Sequence, residues 1–210
     1  MRSVTPLGSN PWPHDMVLSI DPDRDQLLEL LWVREAWGLH PAGDQPPLLV
    51  DVPARSGEPE DRAAWEAAWP EVWEAAVSHT AVPFEPSRFE EQIRNATQPQ
   101  ERAELLRELV GPTWRERFGD AAFDESYRAW SRARLLALKS QRPRSLAEEP
   151  ERRSLQALIP AWEAGLTKVI TIPCRGQYTR IISDSVLLVT ETTCSDPDLY
   201  AASLGTFAKK

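Results

Sequence analysis

The residues best suited to chemistry in this chain lie at Pro173-Cys174-Arg175-Gly176-Gln177-Tyr178, with Arg180 two positions on. A thiol beside a guanidinium is a nucleophile in waiting. If Cys174 is exposed, the neighbouring positive charge lowers its pKa and favours the thiolate. Gly176 lets the backbone take a left-handed turn, and the N–H groups around it can form a nest for an anion. Arg175, Gly176, Gln177, Tyr178 and Arg180 are therefore the candidate anion-binding residues, and Cys174 the one candidate nucleophile. Against this stands the missing base: catalytic cysteines work with one, and no histidine is near in sequence. The alternative is structural, with Gly176 making a turn, Arg175 solvated and Cys174 a small buried hydrophobe. Cys194, the second cysteine, falls at the end of the last apolar run, with a strand expected between the two thiols.

Other chemistries find less support. The chain contains no G-x-G-x-x-G, no G-x-x-x-x-G-K-[ST] and no G-x-S-x-G, so phosphate cradles and the nucleophile elbow of known kinds are absent. His14, His40 and His79 fall in an arm, a loop and a helix end without ligand spacing, and no metal site or cofactor is expected. Glu90-Glu91 and Glu148-Glu149 lie in polar surroundings, where solvation accounts for them.

A different kind of site is suggested by Trp65, Trp69 and Trp73, which recur every four residues within 61–79. That spacing puts all three rings on one helical face. Such a stripe is either core or a grip for a partner chain, because tryptophan dominates binding hot spots. Pro70 interrupts the stretch and costs a continuous helix about 3 kcal/mol, so a kink or a second helix start is expected there.

These residues must be positioned by the elements around them. The only long β-branched, apolar run is 166–194, expected to form three strands, Lys168–Ile172, 178–182 and 186–192, in an antiparallel meander. A bare meander is marginal in water and needs helices as a lid. The short run 47–52, flanked by Pro47 and Pro53, suits an edge strand added to that sheet. Asp21-Pro22 is a cap-then-proline device opening a helix over 22–37. Capping boxes at Ser87–Glu90 and Thr97–Gln100 open helices over 88–96, with Phe89 and Ile93 inward, and 99–110, with Leu105, Leu106, Leu109 and Val110 buried. Phe123, Tyr127, Trp130, Ala133 and Ala137 mark an amphipathic helix over 120–139. The polar stretch 141–153 reads as a linker or, equally at this length, as a helix-to-helix connection. Leu155, Leu158, Ile159 and Trp162 mark one more helix, and Asp196-Pro197 opens the last.

The expected fold class is therefore α+β: a mostly helical body on a small antiparallel sheet, with residues 1–20 an extended arm anchored by Trp12 and 21–210 one domain. The 210 residues carry a net charge of −8, which disfavours nucleic acid as a partner because phosphates must be met by a basic surface. The acidity suits a protein partner, including a basic one. The N-terminus lacks a signal-like apolar core and no apolar run reaches membrane-spanning length, so a cytoplasmic location and no membrane partner are expected. Together these features suggest a soluble, non-enzymatic interaction module, a regulator or an immunity-type partner. The competing expectation is a small enzyme or anion-binding protein built on the 174–180 turn.

Overall fold

The run at 166–194 makes the sheet, but in a different order from a meander. A computed structural model describes residues 12–22, 24–140 and 145–209. Four strands, β1 (Ser19–Pro22), β2 (Lys168–Ile172), β3 (Thr179–Ile181) and β4 (Val186–Thr190), form a mixed sheet in the order β1-β2-β4-β3. β2 and β4 are neighbours and parallel, with Lys168 opposite Val186 and Ile172 opposite Thr190. β3 lies outside them, antiparallel to β4, and β1 closes the other edge, parallel to β2. The expected antiparallel meander is thus corrected.

The physical reason lies in the strands' composition. KVITI and VLLVT carry apolar residues on both faces, as parallel strands covered on both sides do. Residues 173–185 are long enough to make the crossover that a parallel pair requires.

Each face of the sheet has its own core. Ile170, Ile172, Val186 and Leu188 face α1 (Asp25–Ala36) and α2 (Arg62–His79), meeting Leu27, Leu31, Trp69 and Trp73. Val169, Leu187 and Val189 face the opposite way, onto Leu158, Tyr200, Leu204 and Phe207. Trp12, Met16 and Leu18 complete that second core, each side chain contributing about 1.5–3 kcal/mol on full burial. The expected arm therefore divides: residues 1–11 lie outside the described residues, whereas Trp12 is buried as its anchor and Ser19–Ile20 belong to β1.

Among the described residues eight α-helices run between β1 and β2. They are α1, α2, α3 (Pro86–Asn95), α4 (Pro99–Val110), α5 (Trp114–Phe118), α6 (Glu125–Ser140), α7 (Pro150–Arg153) and α8 (Leu155–Glu163). After β4 come α9 (Glu191–Ser195) and α10 (Pro197–Ala208), the latter packed on α8. Asp196 caps α10 as its sequence implies, accepting from the Asp198 and Leu199 amides at 2.9 and 3.1 Å.

Several local devices differ from expectation. Asp21 and Pro22 belong to β1, and Asp21 accepts from Arg24 Nε at 2.6 Å while α1 starts at Asp25. The Ser87–Glu90 box is not made, since α3 begins earlier, at Pro86. The second box forms one residue along: Glu101 accepts from the Gln98 amide. Helix α2 runs unbroken through Pro70, capped by Asp61; stacking of Trp69 on Trp73 at 5.3 Å and burial of both rings offset the lost hydrogen bond. Residues 120–122 form a separate turn before α6. On α6 Phe123's neighbours Tyr127 and Trp130 are half-buried, Ala133 is exposed, and Arg134 is the buried side chain. Segment 47–52 forms no strand; it makes one antiparallel bridge, Leu49 to Cys174. Of the expected linker, residues 141–144 lie outside the described residues, and the rest includes α7.

Beneath α10, Glu151 is 4% exposed. Burial holds its carboxyl above the ordinary glutamate value of 4.5, with Tyr200 and Cys194 nearby. The folded state therefore retains the proton at pH values where the unfolded chain has already lost it. Stability attributable to this group is full below about pH 4.5 and falls as the pH rises toward the folded value. Glu151→Gln is expected to gain on the native protein as pH increases above that point, measured by urea unfolding at several pH values. A pH-independent difference would refute the assignment.

Candidate functional site

The 174–180 turn sits just past the carboxyl ends of β2 and β4, and hydroxyls clasp it. Thr190 Oγ1 donates to the Gly176 carbonyl at 2.7 Å and Thr192 Oγ1 to that of Cys174 at 3.2 Å. Thr193 Oγ1 accepts from the Tyr178 amide at 3.2 Å. Gly176 has φ +67°, as a tight turn of this kind needs. The turn exists, and the Cys174 and Gly176 carbonyls and the Tyr178 amide are engaged in holding it.

Cys174 is fully buried. Burial pushes its thiol up to about 12, outweighing the nearby Arg34 guanidinium. The expected lowering by Arg175 does not occur because that side chain points elsewhere, donating from Nε to the Leu49 carbonyl at 2.9 Å. Arg180 forks onto Glu74, at 2.7 and 2.5 Å, in a bidentate pair. That hydrogen bonding raises the arginine's pKa and lowers the glutamate's. Tyr178 is half-buried and its phenol is pushed up by burial; Gln177 is exposed. The arrangement anchors segment 47–52 and α2 to the sheet, and offers no thiolate at neutral pH.

Cys174 is placed as the small buried hydrophobe of the structural alternative, and Cys194 is also buried, its thiol likewise raised to about 12. Both thiols are free, and because β2 and β4 are adjacent no strand separates them. Native protein at pH 7–8 is expected to react with a thiol reagent about a hundredfold more slowly than unfolded protein, since labelling must await opening. Rapid stoichiometric labelling of Cys174 in the native state would restore the nucleophile.

Just behind the turn is a buried charged pair. Arg34, 3% exposed, donates to the carbonyls of Pro46 and Pro47 at 2.6 and 2.8 Å and to Glu35 at 3.2 Å. Glu35 in turn accepts from the Leu49 amide at 2.6 Å. Beyond it Arg134 pairs with Glu191. These groups satisfy backbone and one another, fastening the loop after α1 to the body.

The three histidines stay apart. His14 pairs with Asp15 at the surface, the His40 amide donates to Glu66, and His79 donates from Nε2 to the Leu109 carbonyl at 3.3 Å. Among the described residues no group of three His, Cys, Asp or Glu side chains is placed to hold a metal ion.

The tryptophan stripe is core. Trp69 and Trp73 are buried, and Trp69 Nε1 donates to the Leu30 carbonyl at 2.8 Å. Trp65 is half-buried, edge-on to Trp37 and Trp114 at 5.3 and 5.2 Å. Of the two readings of Trp65, Trp69 and Trp73, core and partner grip, the burial of Trp69 and Trp73 supports core.

The face that stays open is one that sequence pattern assigned to the interior. No residue of α3 or α4 is buried. Phe89, Ile93, Leu105 and Leu109 are only half-covered, while Leu106 is 50% and Phe84 52% exposed, with Val82 and Val110 beside them. Two short amphipathic helices pack on each other and too little else to close their apolar stripes. A cleft of about 370 Å³ lies at their base, walled by Phe84, Phe89, Leu105 and Leu109. The signal in the sequence was the charge density of both helices, which leaves each only a narrow apolar stripe.

The class this geometry defines is an α+β protein with a four-stranded mixed sheet covered by helices on both faces and a helical hairpin set out from the body. Compared with protein-family models, with curated proteins and with solved structures, the chain has no match.

Proposed function

We propose that this chain is a soluble, non-enzymatic protein-interaction module of the cytoplasm, a regulator or immunity-type partner, and that it meets its partner through the α3–α4 hairpin. The supporting observation is the set of exposed apolar side chains Phe84, Leu106 and Val110, on and beside two helices that bury no residue of their own. Contiguous exposed apolar surface on a folded chain marks an interaction site. The acid-rich composition supports a protein partner over nucleic acid. Among the described residues no helix is long and apolar enough to cross a membrane.

The competing idea, an enzyme or anion-binding protein built on the 174–180 turn, draws no support from a buried Cys174 and an Arg180 already paired with Glu74. The test is affinity capture from the native source with the full chain and with Phe84→Glu/Leu106→Glu. A stoichiometric partner retained by the first and lost by the second supports the proposal. Recovery of no stoichiometric partner, or of one indifferent to the substitutions, overturns it.

A further inference from the structure

The cleft at the base of the hairpin does not end there. Gln92, Leu105 and Glu108 line it and also line a second, shallower groove running along the two helices. The base of this continuous groove has an apolar wall of Val82, Phe84, Phe89, Leu105 and Leu109, with Phe84 and Phe89 at 5.6 Å between ring centroids. Its outer half is lined by Glu91, Glu104 and Glu108, together with Glu101, and by no basic residue. Glu101 is engaged at the start of α4, where it accepts from the Thr97 and Gln98 amides. The other three make no ion pair among the described residues. Elsewhere on this surface carboxylates find arginines, as Glu29 does with Arg115 and Glu71 with Arg117. The charges at the base are mixed, with Arg88 and Glu85 on opposite sides of the count and Arg24 already held by Asp21.

Resting on the interaction reading above, we infer that the groove receives a basic amphipathic segment of the partner protein. Its apolar side chains fill the base between Phe84, Phe89, Leu105 and Leu109, and its lysines or arginines meet Glu91, Glu104 and Glu108. Amphipathic helices are recognised in this way, by apolar anchors on one face laid into a groove. Carboxylates along the groove set orientation and partner choice more than affinity, by rewarding basic chains and repelling acidic ones.

The probe is a fluorescent idealised peptide with Leu and Lys at helical spacing, alongside a Leu/Glu counterpart, with binding read by anisotropy at low and moderate salt. The full chain is compared with Glu91→Lys/Glu104→Lys/Glu108→Lys and with a control, Glu60→Lys/Glu90→Lys/Glu163→Lys, whose charges lie outside the groove. Circular dichroism establishes that both variants are folded. The expected result is that the Leu/Lys peptide binds, that the groove variant weakens it at least about tenfold, and that the control changes it by no more than about twofold. Equal weakening by both variants overturns the inference, since diffuse charge then accounts for binding. So does equal binding of the Leu/Glu peptide, absence of Leu/Lys binding, or a hairpin-dependent dimer in sedimentation, which would put a second copy in the groove. Failure here with the native partner still lost from Phe84→Glu/Leu106→Glu removes only the basic segment. A native partner indifferent to those substitutions removes the hairpin itself.

Discussion

Trp69→Ala is expected to lower the free energy of unfolding by about 3–5 kcal/mol, the range for deleting a large buried aromatic. Trp69 is wholly buried between α1 and the sheet, stacked on Trp73 with an interplanar angle of 8°. Its indole N–H donates to the Leu30 carbonyl, and the Arg34 guanidinium lies over the ring at 5.4 Å. The truncation therefore opens a cavity, removes a buried hydrogen bond and strips the cover from a buried charge at once. Trp69→Phe keeps much of the ring area and loses the donor, so its cost should be smaller, about 1–3 kcal/mol. Urea unfolding followed by far-ultraviolet circular dichroism separates the two. A loss below about 1 kcal/mol for the alanine variant would mean that this helix face is not core.

Arg34→Met should cost a comparable amount, about 3–5 kcal/mol, by removing one partner of a buried pair and leaving the other. Arg34 bridges the Pro46 and Pro47 carbonyls and Glu35, and Glu35 holds the Leu49 amide. Without the guanidinium, two carbonyls lose a donor and a carboxylate is left nearly buried. Arg34→Lys should recover only part of the loss, because a single ammonium cannot reproduce the fork that reaches all three oxygens. A second readout localises the effect. Leu49 pairs with Cys174 and Val50 N–H donates to the Pro173 carbonyl at 2.8 Å, so hydrogen exchange at residues 48–50 should accelerate before that of β4. Unchanged exchange there, with stability lost elsewhere, would show that the pair does not fasten this loop.

The helices were largely legible because helix signals are local. Asp196-Pro197 and, one residue displaced, the box near Thr97–Gln100 announce helix starts by side-chain capping, which depends on neighbours two or three residues away. Gly111 and Gly119, at φ +80° and +69°, close α4 and α5 where the chain must turn left-handed. Strands β2, β3 and β4 were legible for a similar reason, as β-branched runs, whereas β1 was not, its Ser-Ile-Asp-Pro sequence carrying no such run. Strand order was not, since pairing joins residues far apart: β1 meets β2 across about 150 positions of sequence.

The choice between the two readings of Cys174 lay at that same level. Residue type proposed Cys174 as a thiolate beside Arg175, a statement about neighbours in sequence. Its pKa is decided by burial and by Arg34, Glu35, Glu191 and Arg134, all brought to it by the fold. The tryptophans show the complementary case. Spacing settled that Trp65, Trp69 and Trp73 share a face, and only tertiary packing decided that the sheet, and not another chain, lies against it. For α3 and α4 the stripes were real and their burial was not.

By itself, then, the chain's order of residues determined most of the helical stretches to within a few residues of their ends, the three strands of the 166–194 run, and that these combine as α+β. Tertiary structure alone decided which strands are neighbours, which thiols and charges are desolvated, and which apolar face stays open. Periodicity and capping act over a few residues of backbone, whereas burial depends on what the rest of the molecule places opposite.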